Sequence, residues 1–322
     1  MPAVVSVNAI DFDPTRPPAR RLLRLGIVLD GRSMADGVPP LARMCDRAGI
    51  DIVWLADPIA GTAVAGNLDA FPVASALLGA LRMAAVGALV ADRPKTSDLV
   101  QLENRRIAHD HPDTVRFELG LGDAQDQLED LRALREAIID FGGRVRLSAV
   151  VRSTGQLAPL LALADDIVLS AWHTPDLETA ADEARAEALE SGRDPASLGV
   201  GALVPVSVGR THAEAAARSE MDPDFVRYGH PAEIGIFGTL EECQDRVIAL
   251  AHAGITDLRC VLPATPDIHD VIAQLTAMTI GTVDVLTPGS LRSPAPPPPD
   301  GWGGRPDRPP APGVSAGSRR RG

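Results

Sequence analysis

The feature that most constrains this chain is a regular alternation. Short, β-branched apolar runs are separated by amphipathic stretches of about 10–16 residues. A continuous apolar run is buried on both faces, which is the position of a strand in a parallel sheet, and each intervening helix carries the chain back by a right-handed crossover. The runs predict strands at 25–29, 52–55, 83–90, 115–119, 145–151, 167–169, 200–208 and 258–262. The amphipathic stretches predict helices at 38–48, 72–81, 97–108, 125–140, 157–164, 177–190, 211–218, 239–253 and 268–278. Gly49, Gly192 and Gly254 stand where three of them stop, and Thr211 and Thr239 where two begin. Residues 222–231 read as a polar excursion.

Eight strand–helix units in roughly 260 residues match a (β/α)8 TIM-like barrel in count and length. An open doubly wound sheet is the competitor, but its dinucleotide fingerprint is missing. Gly120 and Gly122 supply G-x-G, and Gln125 stands where the third glycine belongs.

Composition narrows the class. The 322 residues carry a formal charge of −12, so no basic face is expected for nucleic acid. No apolar run is long enough to span a membrane and no secretory leader is evident, so a cytoplasmic protein is expected. Cys45, Cys243 and Cys260 show neither CxxC nor metal-ligand spacing and read as buried thiols in a reducing compartment. Lys95, the only lysine, lies in a Pro/Ser/Thr loop, which leaves little scope for Schiff-base chemistry. No Ser-His-Asp order, HExxH, GxSxG or P-loop is present, and no metal site is expected. Three regions follow: an arm at 1–21, a barrel at 22–287, and a tail at 288–322. The tail, with its run Pro296–Pro299, is too poor in apolar surface to order itself and is expected to be disordered.

In a parallel barrel the loops at the carboxyl ends of the strands converge on one mouth, so that end supplies the candidates. Asp57 follows the second strand and either orients a ligand or acts as a base there, or caps its own loop through an Asx turn. Arg152, Ser153, Thr154 and Gly155 follow the fifth. They either cradle a phosphate at a helix start or cap that helix. His173, beside Trp172, suits ring binding or a structural role. Gly120 and Gly122 either admit a flat ligand close to the backbone or make a tight turn. The triplet His109-Asp110-His111 reads as a solvated loop.

Four segments together resemble the bacterial luciferase-like monooxygenase family of flavin- and deazaflavin-dependent oxidoreductases. They are Leu25-Gly26-Ile27 with the run Leu41 to Trp54; Arg116-Phe117-Glu118-Leu119-Gly120-Leu121-Gly122; the helix that ends in Gly192-Arg193-Asp194-Pro195; and Phe237-Gly238-Thr239-Leu240-Glu241-Glu242-Cys243, running through Gly254 to the last strand. The resemblance spans about residues 22–280 and implies a barrel of the bacterial luciferase type. It implies FMN or a deazaflavin of the coenzyme F420 type as cofactor, with hydride transfer or oxygen activation on a small organic substrate, and pairing into a homodimer. It places Gly87, Ala88 and Val90 near the flavin ring, Gly120 and Gly122 at the fourth-strand glycines, and Ser153, Thr154 and Gly155 in the phosphate-holding loop. The cofactor would carry the redox chemistry, which accounts for the lack of an obvious nucleophile.

Three departures stand out. Asp57-Pro58 replaces an Asp/Glu-His pair, Asp92-Arg93-Pro94-Lys95 lacks the common Arg-His-Pro, and only Phe141-Gly142-Gly143-Arg144 remains of a longer aromatic segment. A degenerate barrel serving as a binding or partner subunit is therefore the alternative reading.

Overall fold

A computed structural model describes residues 23–29, 37–57, 68–78, 80–81, 84–91, 94, 99, 117–122, 127–140, 145–155, 157–222, 225 and 231–286. The chain divides into two units, Met1–Leu286 and Thr287–Gly322. The expected arm at 1–21 and tail at 288–322 lie outside the described residues. So do nearly all of the expected helix at 97–108, the His109-Asp110-His111 triplet, and Asp92 and Arg93.

Nine strands are described: β1 Arg24–Leu29, β2 Ile52–Ala56, β3 Ala85–Val90, β4 Phe117–Leu121, β5 Arg146–Val151, β6 Asp166–Ser170, β7 Gly199–Gly209, β8 Ile236–Thr239 and β9 Asp257–Val261. Eight of them close into a parallel barrel in the order β1-β2-β3-β4-β5-β6-β7-β9, with β9 returning to β1. The helices are α1 Val38–Ala48, α2 Ala70–Leu77, α3 Leu128–Asp140, α4 Ala158–Leu161, α5 Leu177–Glu190, α6 His212–Glu220, α7 Pro231–Ile234, α8 Leu240–His252 and α9 Ile268–Leu286. None among the described residues is long and apolar enough to cross a membrane.

Local chemistry sets the boundaries. On α1, Val38, Leu41, Ala42 and Cys45 make the buried stripe, with prolines in the first turn, where a missing N–H costs nothing. It stops at Gly49, whose φ of +80° only glycine adopts without strain. Asp176 and Thr211 cap α5 and α6, each accepting a backbone N–H, and Thr239 with Glu242 forms a reciprocal capping box on α8.

The structure corrects several expectations. The fourth strand runs two residues further than predicted, so Gly120 lies inside it, paired with Leu89 of β3, instead of in the loop beyond. The helix expected at 157–164 is one turn, Ala158–Leu161. β8 was not foreseen. β7 has eleven residues; 199–205 complete the barrel between β6 and β9, and 206–209 pair with β8.

Two apolar layers hold the barrel. Outward side chains such as Ile27, Val53, Ala88, Val90 and Leu119 pack beneath the helices. Inside, Val28, Ile52, Trp54, Ala56, Leu89, Val150, Val168, Leu203 and Val261 form a second cluster. Below that apolar level the inner face turns ionic, with Arg24, Glu118, Arg146, Asp166, Asp257 and Arg259. Arg259 is wholly buried. It donates from Nε to Asp257 (3.0 Å) and from Nη2 to Ser148 Oγ (2.9 Å).

Candidate functional site

The carboxyl ends of β5 and β6 lie side by side, and the loops that follow them are tied together. Thr174 Oγ1 donates to the carbonyl of Arg152 at 3.1 Å. This contact brings Arg152, Ser153, Thr154 and Gly155 next to Trp172 and His173. Arg152, Ser153, Gly155 and His173 are exposed and Thr154 is half-buried. The N-cap of α4 is Leu157, which makes no side-chain hydrogen bond to the helix. The Thr154 hydroxyl donates to the Glu183 carboxylate on α5.

Across the β6 turn, His173 Nδ1 lies 3.2 Å from the buried Ser170 hydroxyl, and the backbone N–H groups of His173 and Thr174 donate to the Ser170 carbonyl. The turn is thereby fixed, and the imidazole is held at one edge of the mouth. Trp172 is half-buried and packs against the inner apolar cluster. An aromatic wall, an imidazole–hydroxyl pair and an exposed arginine-bearing loop therefore share one side of the barrel.

Asp57 stands elsewhere. β2 and β6 are four strands apart in an eight-stranded ring, so Asp57 and His173 face each other across the mouth. The Asp57 carboxylate is engaged by backbone, accepting from Ala70 N–H at 2.7 Å and from Ala91 N–H at 3.1 Å. It thus ties the start of α2 to the end of β3. Of the sequence alternatives for Asp57, the local backbone role is the one with hydrogen bonds to it.

The glycines and small residues of β3 and β4 divide by face. A methyl group on Gly87 would overlap the Trp54 ring, and one on Gly120 would meet Leu89 and, at 3.2 Å, Arg259 Nη1. Both hollows are occupied by neighbouring side chains. Ala88 and Val90 point outward into the layer beneath the helices, while Leu89 and the half-buried Ala85 reach the inner cluster. Gly122 makes the turn after β4, its N–H donating to Val90 at 2.9 Å.

Sequence reasoning missed Phe225. It comes from the excursion after α6, is 1% exposed and joins the inner cluster. Asp222 fixes it, accepting from Phe225 N–H at 3.1 Å and from Ala264 N–H at 2.9 Å. Beside it, Arg218 donates to Asp267 and to the Val208 carbonyl, which holds α6 on the loop after β9. The local signal was the apolar pair Phe225-Val226 within a polar stretch. Among the described residues no group of three His, Cys, Asp or Glu could hold a metal ion.

No protein-family model and no curated protein matches the chain by sequence. Solved structures do match by shape. The coenzyme F420-dependent tetrahydromethanopterin reductase of Methanopyrus kandleri superposes with a TM-score of 0.59 at 15% identity, over 80% of this chain and 99% of that one. A riboflavin lyase crystallised with modified FMN and riboflavin gives 0.57 at 15% identity, over 81% and 92%. A long-chain alkane monooxygenase gives 0.58 at 13%, over 80% and 91%. The chain shares its closed parallel eight-stranded barrel with these three structures. At the β5–β6 edge of this barrel the described side chains leave an exposed polar surface beside Trp172.

Proposed function

We propose that the chain is a flavin- or deazaflavin-dependent oxidoreductase acting on a small organic substrate. The observation that carries the reading is the tethered pair of loops at the β5–β6 edge, where Thr174 joins the Arg152 loop to the Trp172–His173 turn. The fold of enzymes such as the F420-dependent reductase and the alkane monooxygenase supports the same class.

The residues present fit such a group. A phosphate-bearing tricycle needs an apolar floor, a flat wall, a polar partner for its edge and an anion-binding loop. The inner cluster, Trp172, the Ser170–His173 pair and the loop from Arg152 to Gly155 meet these needs in turn. When bound, the cofactor would supply the hydride or activate oxygen. Arg152 and the backbone of Ser153–Gly155 would hold its phosphate. Trp172 would pack against the ring and keep water from one face, while His173, braced by Ser170, would hold or release a proton at an imidazole nitrogen.

Titration of the purified protein with FMN, FAD and coenzyme F420, followed by fluorescence, tests this. Micromolar binding of one of them, weakened at least tenfold by Arg152→Ala, is the expected result. Failure of all three to bind rejects the proposal.

One set of observations favours the alternative of a barrel that binds without turning over. Asp57 is committed to two backbone N–H groups, and Trp54, Leu89 and Arg259 fill the hollows of Gly87 and Gly120. A bound cofactor that is neither reduced nor oxidised by any of a panel of small alcohols, aldehydes or alkanes would select that reading.

A further inference from the structure

The lower half of the barrel interior holds three cations and three carboxylates in three ion pairs. Arg146 meets Asp166 through both Nε and Nη2, which uses both carboxylate oxygens. The other two pairs are incomplete. Arg24 reaches Glu118 Oε1 at 2.7 Å, and Arg259 Nε reaches Asp257 Oδ2 at 3.0 Å. Among the described residues, Glu118 Oε2, Asp257 Oδ1, Arg259 Nη1 and Trp54 Nε1 are buried without a hydrogen-bond partner.

The residues that carry these atoms adjoin one another inside the barrel. Arg259 stacks on Trp54, Asp257 lies two residues before Arg259 on β9, and Glu118 interacts electrostatically with both Asp257 and Arg259. Their chemistry is balanced: two acceptors, both on carboxylates, and two donors, one guanidinium N–H group and one indole N–H. A metal cation would face the Arg259 charge and two hydrogen-bond donors. An anion would face two carboxylates. The matching ligand is small, neutral and able both to donate and to accept twice, which describes water. Groups of this kind left unpaired in an interior lose their hydration without compensation, and a bridging molecule restores it.

We infer that the barrel interior is a binding site for at least one long-lived water molecule, bridging Glu118, Asp257, Arg259 and Trp54. The site lies beneath the apolar cluster and does not depend on the proposed redox function.

The test uses the full chain. Replacing Trp172 and Trp302 by Phe leaves a single indole N–H resonance, that of Trp54. An exchange-independent Overhauser contact between this proton and a slowly exchanging water is expected; its absence in the folded protein overturns the inference. Separately, Glu118→Gln exchanges an acceptor for a donor at nearly constant shape. Oxygen-17 relaxation dispersion should then lose the amplitude of at least one internal water relative to wild type, and an unchanged amplitude counts against the site. Should the variant fail to fold, the Trp54 contact in the protein with native Glu118 decides. An atomic-resolution crystal structure showing Glu118 and Asp257 in direct contact through a shared proton, with no water between them, also overturns it.

Discussion

The Arg259 guanidinium lies over the Trp54 ring, 3.7 Å from its centroid, and both side chains are wholly buried inside the barrel. Arg259 is on β9 and Trp54 on β2, with β1 between them, so the contact spans the glycine that β1 presents there. A methyl on Gly26 would press on both Ile52 and Trp54, and one on Gly87 would overlap the Trp54 ring. Stacking on an aromatic face offsets part of the desolvation of a buried cation, and Asp257 with Ser148 supplies directed hydrogen bonds.

Gly87→Ala should therefore be severely destabilising. The added carbon has nowhere to go unless Trp54 leaves its place over Arg259, and overpacking of this kind costs about 3 kcal/mol or more. Gly155→Ala should be nearly neutral, because the nearest atom to the added carbon is Ser153 Oγ at 3.9 Å. Urea unfolding of the two variants side by side measures the contrast. Equal midpoints would show that the Gly87 hollow is not a packing requirement.

Asp57→Asn should lower stability by about 1–2 kcal/mol, since one of its two backbone N–H partners would then face an amide N–H. The same variant should leave cofactor affinity within about twofold of wild type, the change expected when a removed contact lies away from the ligand. A tenfold loss of binding with unchanged stability would move Asp57 from bracing the loops to touching the ligand.

Phe225→Ala should cost about 3 kcal/mol by opening a cavity in the inner cluster. Asp222→Ala should reproduce part of that loss, because it frees the N–H groups of Phe225 and Ala264 that hold the aromatic ring in place. Thermal unfolding of both, and of the double variant, should show strong non-additivity; independent effects would mean that Asp222 does not position Phe225.

Two carboxylates give opposite pH slopes. Burial pushes the Glu118 carboxyl up, with Asp257 acting the same way and Arg24 against it. A native pKa above the unfolded one means the folded state holds extra protons between the two values, so this contribution to stability falls as pH rises through that window. Asp267 is the reverse. Its hydrogen bond from Arg218 holds its carboxyl below the usual range, so its contribution is present at neutral pH and is lost as pH falls through that lowered value. Unfolding free energies measured from acid to neutral pH should show a shallower fall above the ordinary carboxylate range in Glu118→Gln, and a weaker acid loss in Asp267→Asn.

The site was partly legible. Ser153, Thr154 and Gly155 were picked out as a loop at a strand end, and they do sit beside the Trp172–His173 turn. What joins the two loops is a side chain–carbonyl bond 22 residues apart in sequence, from Thr174 to Arg152, and no pattern in either segment announces it. The glycines of the third and fourth strands were visible as glycines, but their inward neighbours were not.

The sequence by itself determined the alternation, hence parallel strands with returning helices, and the ends of helices marked by Gly49, Thr211 and Thr239. Those signals are local: buried runs, caps and left-handed glycines act over a few residues. Only the tertiary structure decided which side chains of each strand face inward. β3 is apolar at every position, so its sequence carries no alternation from which to read the direction of Ala88, Leu89 or Val90. The ninth strand, the burial of Phe225 and the joining of Arg259 to Trp54 likewise depend on barrel closure, which brings distant segments together through contacts that neither segment encodes alone.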